Sequence, residues 1–191
     1  MKKIPTLFER EFKNHKLVAI TDKVHPGMEW VLEGEGEATL KWDGSCCAMI
    51  DGRFYKRYDA KKGKKPPAGA IPCCDPDPVT GHHPHWVLVD SAAPENKHFV
   101  SAFVNTPPAW FDKTFEACGP GFQGNPHNLE DNILIPHGVH VLSVPRSFEG
   151  IREYLRDHNV EGIVFWKDKE PQCKIKRTDF GFEWPMKEER P

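Results

Sequence analysis

Apolar positions cluster in short runs rather than long periodic stretches. Runs rich in β-branched or aromatic residues, bounded by Gly, Pro or Asp, fall at Glu29–Leu32, Glu37–Lys41, Cys46–Ile50, Arg53–Tyr58, Trp86–Val89, Thr114–Cys118, Val139–Val144, Gly162–Trp166 and Cys173–Arg177. Such runs predict strands. Asp51-Gly52 lies between two of them and signals a two-residue hairpin. Two segments change period. Ile151, Tyr154, Leu155 and His158 recur at helical spacing, with Ser147 as N-cap and Glu149 in the first turn. Phe99, Ala102 and Phe103 give a shorter helical face after Glu95. Pro66–Pro84 holds six prolines and predicts a long irregular loop. Many strands and few helices predict an α+β fold with antiparallel sheets.

Composition narrows this picture. The chain has 191 residues, 38% hydrophobic and 28% charged, which is globular and fits one domain. The 18 prolines and 15 glycines exclude a helical bundle or coiled coil. A formal net charge of -2 excludes a histone-like or polybasic chain but leaves a nucleic-acid partner open. No run approaches the roughly 20 apolar residues that span a bilayer. Met1-Lys2-Lys3-Ile4-Pro5 is followed by Glu9-Arg10-Glu11, so no signal peptide is expected. Two adjacent cysteine pairs, Cys46-Cys47 and Cys73-Cys74, are poor spacing for a disulfide framework. A reducing, cytoplasmic location is therefore expected.

Four constellations carry candidate chemistry. Lys41-Trp42-Asp43-Gly44 ends a predicted strand. A lysine amine attacks phosphorus only when unprotonated, and its usual pKa is near 10.4. Burial, nearby cations or a metal make such an amine a nucleophile. Alone, this motif is weak and reads more readily as a strand ending in Lys with an Asp-Gly turn. Phe115-Glu116-Ala117-Cys118-Gly119-Pro120 is a strand carrying one glutamate. Glu161-Gly162-Ile163-Val164-Phe165 is a strand headed by a carboxylate, and Lys174-Ile175-Lys176 follows. In a strand Lys174 and Lys176 share a face. That is costly unless an anion lies between them or the strand is an exposed edge.

The order of these four motifs resembles the covalent nucleotidyltransferase superfamily of ATP-dependent DNA ligases, RNA ligases and mRNA-capping enzymes. The resemblance runs from about Glu33 to Arg177. Tyr55-Lys56-Arg57-Tyr58, Gly81-His82-His83-Pro84-His85-Trp86-Val87 and Gly124-Asn125-Pro126 are similar to words of the stand-alone 5′–3′ RNA ligase family typified by the vertebrate RNA ligase. Leu40 stands where RNA ligases often carry glutamate. Residues 1–191 are expected to form a single minimal nucleotidyltransferase domain without an OB-fold domain, its motifs between about 33 and 177.

The resemblance implies an RNA ligase that joins 5′-phosphate and 3′-hydroxyl RNA ends using ATP. Lys41 would be the nucleophile and form lysyl-AMP. Lys41, Asp43, Gly44, Arg57, Glu116, Val164, Lys174 and Lys176 would contact the nucleotide. Asp43, Glu116 and Glu161 would hold Mg²⁺ (or Mn²⁺), largely through water, since Mg²⁺ dehydrates reluctantly. Strand alternation favours Ile163 as the inward residue beside Glu161, whereas the family pattern favours Val164 against adenine. Arg53–Lys65 carries seven basic residues and one acid, Asp59. Within it Lys61, Lys62, Lys64 and Lys65 are expected to contact RNA backbone. Competing readings are a GTP-using capping-type guanylyltransferase, a DNA ligase, or a non-catalytic zinc/RNA-binding module using Cys73, Cys74, His82, His83 and His85.

Overall fold

The computed structural model describes residues 3–14, 16–78, 80–106 and 113–186. In chain order the strands and helices are β1 (Phe8–Lys13), β2 (Lys16–Val24), β3 (Glu37–Lys41), β4 (Ser45–Ile50), β5 (Arg53–Ala60), β6 (Ile71–Pro72), β7 (His83–Leu88), α1 (Lys97–Val104), β8 (Thr114–Cys118), β9 (Ile133–Pro136), α2 (Phe148–Asp157), β10 (Gly162–Lys167) and β11 (Glu170–Lys176). The sheets are antiparallel and helices are few, in agreement with the α+β expectation. The chain divides into two compact units and passes between them at Lys3/Ile4, Trp42/Asp43 and His137/Gly138.

The first unit comprises Asp43–His137 together with the first three residues. Its six-stranded sheet has the order β6-β7-β5-β4-β8-β9. Asp51 and Gly52 both adopt positive φ, 50° and 70°, the conformation that a tight two-residue hairpin between β4 and β5 demands. One sheet face buries Cys47, Phe54, Phe115, Ala117 and Leu134 with Ala102 of α1, and Phe99 and Phe103 pack against them. This is the short helical face that the apolar spacing predicts. The other face gathers Ala48, Tyr55 and Trp86.

The second unit comprises Ile4–Trp42 and Gly138–Pro191. It holds the β1–β2 hairpin and a three-stranded sheet of order β11-β10-β3. Its core joins Leu7, Phe8, Val31, Ala38, Ile163, Phe165 and Ile175 with Ile151 and Leu155 of α2. Ser147 caps α2 as expected, its hydroxyl accepting from the Gly150 amide at 3.1 Å. His158, expected on the buried face of α2, is instead its exposed C-cap and stacks on Tyr154 at 4.0 Å.

Two predicted strands are absent as such. Glu29–Val31 is a turn of 3₁₀ helix that buries Trp30 and Val31 together. Adjacent residues cannot both face one side of a strand, so packing overrides the local preference. In Val139–Val144 only Val141 makes a bridge, to Thr39. The segment still lies along β3, where the Leu40 amide donates to the His140 carbonyl and the Leu142 amide to the Ala38 carbonyl, both at 2.8 Å. The Pro-rich segment contains the short strand β6, paired to β7.

Candidate active site

The three-stranded sheet of the second unit assembles three of the motifs by register. Gly162 lies between Lys41 on β3 and Lys176 on β11. Val164 lies between Thr39 and Lys174 in the next row. Directly opposed residues point to the same side of a sheet. Lys41, Val164, Lys174 and Lys176 therefore share one face. Ile163 points the other way and is fully buried in the core. The phase of β10 therefore puts Val164, not Ile163, beside the lysines. Alternation counted from Glu161 misses this because Glu161 precedes the strand.

Gly162 matters to this arrangement. A β-carbon there would lie 2.3 Å from the Ile175 carbonyl oxygen and 3.0 Å from the Lys176 α-carbon. Only glycine lets β10 approach β11 this closely, and it leaves the space between Lys41 and Lys176 free of side chain.

Lys41 donates from Nζ to Glu161 Oε2 at 2.5 Å. Both are largely withdrawn from water, with side chains 22% and 9% exposed. No salt bridge reaches Lys174 or Lys176 among the described residues. Burial, then the charges of Lys41 and Lys176, push the Lys174 amine down from 10.5 to about 8. Three lysines against one glutamate leave this face with an excess of positive charge, which an anion such as a phosphate would relieve. Arg10 is already paired, donating to Asp179 Oδ1 at 2.5 Å. Asp179 in turn accepts from the Lys176 amide at 2.8 Å, fixing the end of β11.

The remaining expected residues belong to the first unit. The Asp43 amide donates to His127 Nε2 at 2.9 Å. Gly44 is packed so closely that a β-carbon would meet the Ala117 carbonyl oxygen at 2.2 Å. Arg57 donates from Nε to Asp59 Oδ1 at 2.8 Å. Glu116 lies opposite Cys46 in the β4–β8 register. Its Oε2 is 3.0 Å from His137 Nε2. Burial, then the Glu116 charge, push the Cys46 thiol up to about 12, so it holds its proton. Lys61, Lys62, Lys64 and Lys65 are all exposed at the exit from β5.

The zinc-module donors do not converge. Among the described residues, Cys46, Glu116 and His137 bring three metal-type donor atoms within 4.8 Å of one another, and Cys73, Cys74, His82, His83 and His85 form no such group. His85 is buried and its Nδ1 is held 2.8 Å from the His83 carbonyl oxygen. Sequence reasoning missed Cys46 and His137 as partners of Glu116. Their only sequence signal is strand register, which a separation of tens of residues conceals.

No family model matches the chain. It is similar to RNA ligase 1 of Danio rerio, 32% identical over 85 residues that cover 39% of this chain. The matched part is 26% of that protein, so the chain spans about a quarter of the length of this relative. The match supports a relation to RNA ligases. No helix among the described residues is long and apolar enough to cross a membrane.

Proposed function

We propose that the chain is an ATP-dependent RNA ligase, with residues 1–191 acting as one nucleotidyltransferase domain. The observation that carries this reading is the shared sheet face of Lys41, Val164, Lys174 and Lys176, with Glu161 bonded to Lys41. The motif order and the similarity to an RNA ligase support it.

Lys41 Nζ attacks the α-phosphorus of ATP. The bond to pyrophosphate breaks and a phosphoramide to AMP forms. Glu161 Oε2 orients the amine beforehand and is the acceptor at hand for the proton it gives up. Lys174 and Lys176 meet the charge that builds on the α-phosphate, a preorganised cationic cradle. Val164 lies against the base. The resemblance assigns Asp43, Gly44, Arg57 and Glu116 to the nucleotide as well. AMP then passes to an RNA 5′-phosphate, and a 3′-hydroxyl displaces it to join the ends. Lys61, Lys62, Lys64 and Lys65 hold the RNA backbone.

The residues expected to hold the metal differ in donor chemistry. Asp43 and Glu161 each carry a hard carboxylate of the type that suits Mg²⁺ or Mn²⁺. Glu116 keeps company with a thiol and an imidazole, a softer set that suits Mg²⁺ poorly. When bound, Mg²⁺ neutralises phosphate charge.

The test is incubation with α-labelled ATP or GTP and Mg²⁺, followed by a denaturing gel. Label from ATP that stays with the protein is the expected result. Label from GTP alone would favour a capping-type enzyme, and none from either would leave a binding module.

A further inference from the structure

We propose that Cys46, Glu116 and His137 form a binding site for a Zn²⁺-class metal ion. Cys46 on β4 and Glu116 on β8 are directly paired and point to one face of the six-stranded sheet. His137 follows β9, and its amide donates to the Thr114 carbonyl at 3.1 Å, which brings its ring to the same row of strands. The three donor atoms lie within 4.8 Å of one another. Four-coordinate zinc places N, O and S ligand atoms about 3.3 to 3.6 Å apart, so side-chain adjustment alone closes the set.

The second observation is the other side of the histidine. Its Nδ1 lies 2.9 Å from Thr114 Oγ1. An ion entering the site displaces the proton that joins Nε2 to Glu116 Oε2, 3.0 Å apart, and with Nδ1–H then donating to the Thr114 hydroxyl the Nε2 lone pair is left to the metal. Metal-bound histidines are held by such an outer partner, which fixes tautomer and ring orientation. All three ligand residues are half-buried, which shelters the site yet keeps a path for an ion.

The charges also close. A divalent ion, one thiolate and one carboxylate sum to zero, with the thiol proton released to solvent on binding. The nearby cation Arg57 is already bonded to Asp59 at 2.8 Å. Thiolate and imidazole select zinc-like ions over Mg²⁺. Three protein ligands leave a fourth position open for water or an incoming ligand. This assignment takes Glu116 from Mg²⁺ and leaves Asp43 and Glu161 for the ligase reaction.

Cobalt(II) is the probe, added to the full chain without nucleotide. The expected result is one ion per chain with a thiolate-to-metal absorption band. That band disappears in Cys46→Ser and persists in Cys74→Ser. Zn²⁺ affinity, read by competition with a chromophoric chelator, falls on the order of 10-fold in Thr114→Val and further in His137→Gln. The proposal is overturned if the wild-type chain gives no stoichiometric band, a result that needs no variant to fold. It is also overturned if the band survives in Cys46→Ser, or if His137→Gln leaves spectrum and affinity unchanged. Loss of ATP labelling with the metal site intact would count against the ligase reading alone.

Discussion

Lys174→Met should stabilise the protein while destroying its proposed activity. Burial and the neighbouring charges of Lys41 and Lys176 lower the Lys174 amine from 10.5 to about 8. At about 1.4 kcal/mol per pH unit, that gap corresponds to about 3 kcal/mol of penalty on the charged form in the folded state. At pH 7 the amine is protonated folded and unfolded, so the native state bears the whole penalty. Between about 8 and 10.5 the folded chain has released a proton that the unfolded chain keeps, and stability rises with pH. Methionine keeps the unbranched stem and removes the charge. The variant should therefore be up to about 3 kcal/mol more stable at neutral pH, with the advantage shrinking to a few tenths by about pH 10.5. Urea unfolding followed by tryptophan fluorescence at both pH values measures the difference directly. A variant no more stable than wild type at neutral pH, or one whose advantage does not shrink on raising the pH, refutes the reasoning. The same substitution should abolish nucleotide labelling, the trade expected of a site that stores like charge for an anion.

Gly162→Ala should cost on the order of 2 kcal/mol or more, because its β-carbon would meet the Ile175 carbonyl at 2.3 Å; an unchanged urea midpoint would contradict the close β10–β11 approach. Glu161→Gln should reduce self-labelling with ATP by about 10²-fold or more while the far-ultraviolet spectrum stays native; near wild-type labelling would remove Glu161 from the proposed reaction. Changing Lys61, Lys62, Lys64 and Lys65 together to Ala should spare labelling but weaken joining of 5′-phosphorylated RNA, and joining by the wild type should fall faster with salt than labelling does. Equal loss of both activities would place these exposed lysines at ATP or in folding.

Much of this was legible in the sequence wherever local chemistry and packing agreed. The Asp51-Gly52 hairpin, the Ser147 cap and the strands bearing Lys41, Glu116 and Lys174 all follow from local rules. The β1–β2 hairpin did not, because its alternation is diluted by charged residues and Phe12 remains 61% exposed. Glu29–Val31 failed for the opposite reason, since Trp30 and Val31 both enter the core and only a helical turn allows that. At the candidate site, motif order pointed to Lys41, Glu161, Lys174 and Lys176, which the sheet brings to one face or into contact. The Cys46–Glu116–His137 group was hidden, because it depends on how β4, β8 and the end of β9 pair.

The most direct test is to map where AMP attaches. The wild-type chain is incubated with ATP and Mg²⁺, digested under conditions that preserve a phosphoramide, and sequenced by tandem mass spectrometry. Two amines compete on one sheet face: Lys41, bonded to Glu161 at 2.5 Å, and Lys174, lowered to about 8. The account predicts AMP on Lys41, and its complete absence in Lys41→Arg, whose guanidinium keeps the charge but does not give up its proton. AMP on Lys174, or adduct that persists in Lys41→Arg, would contradict it.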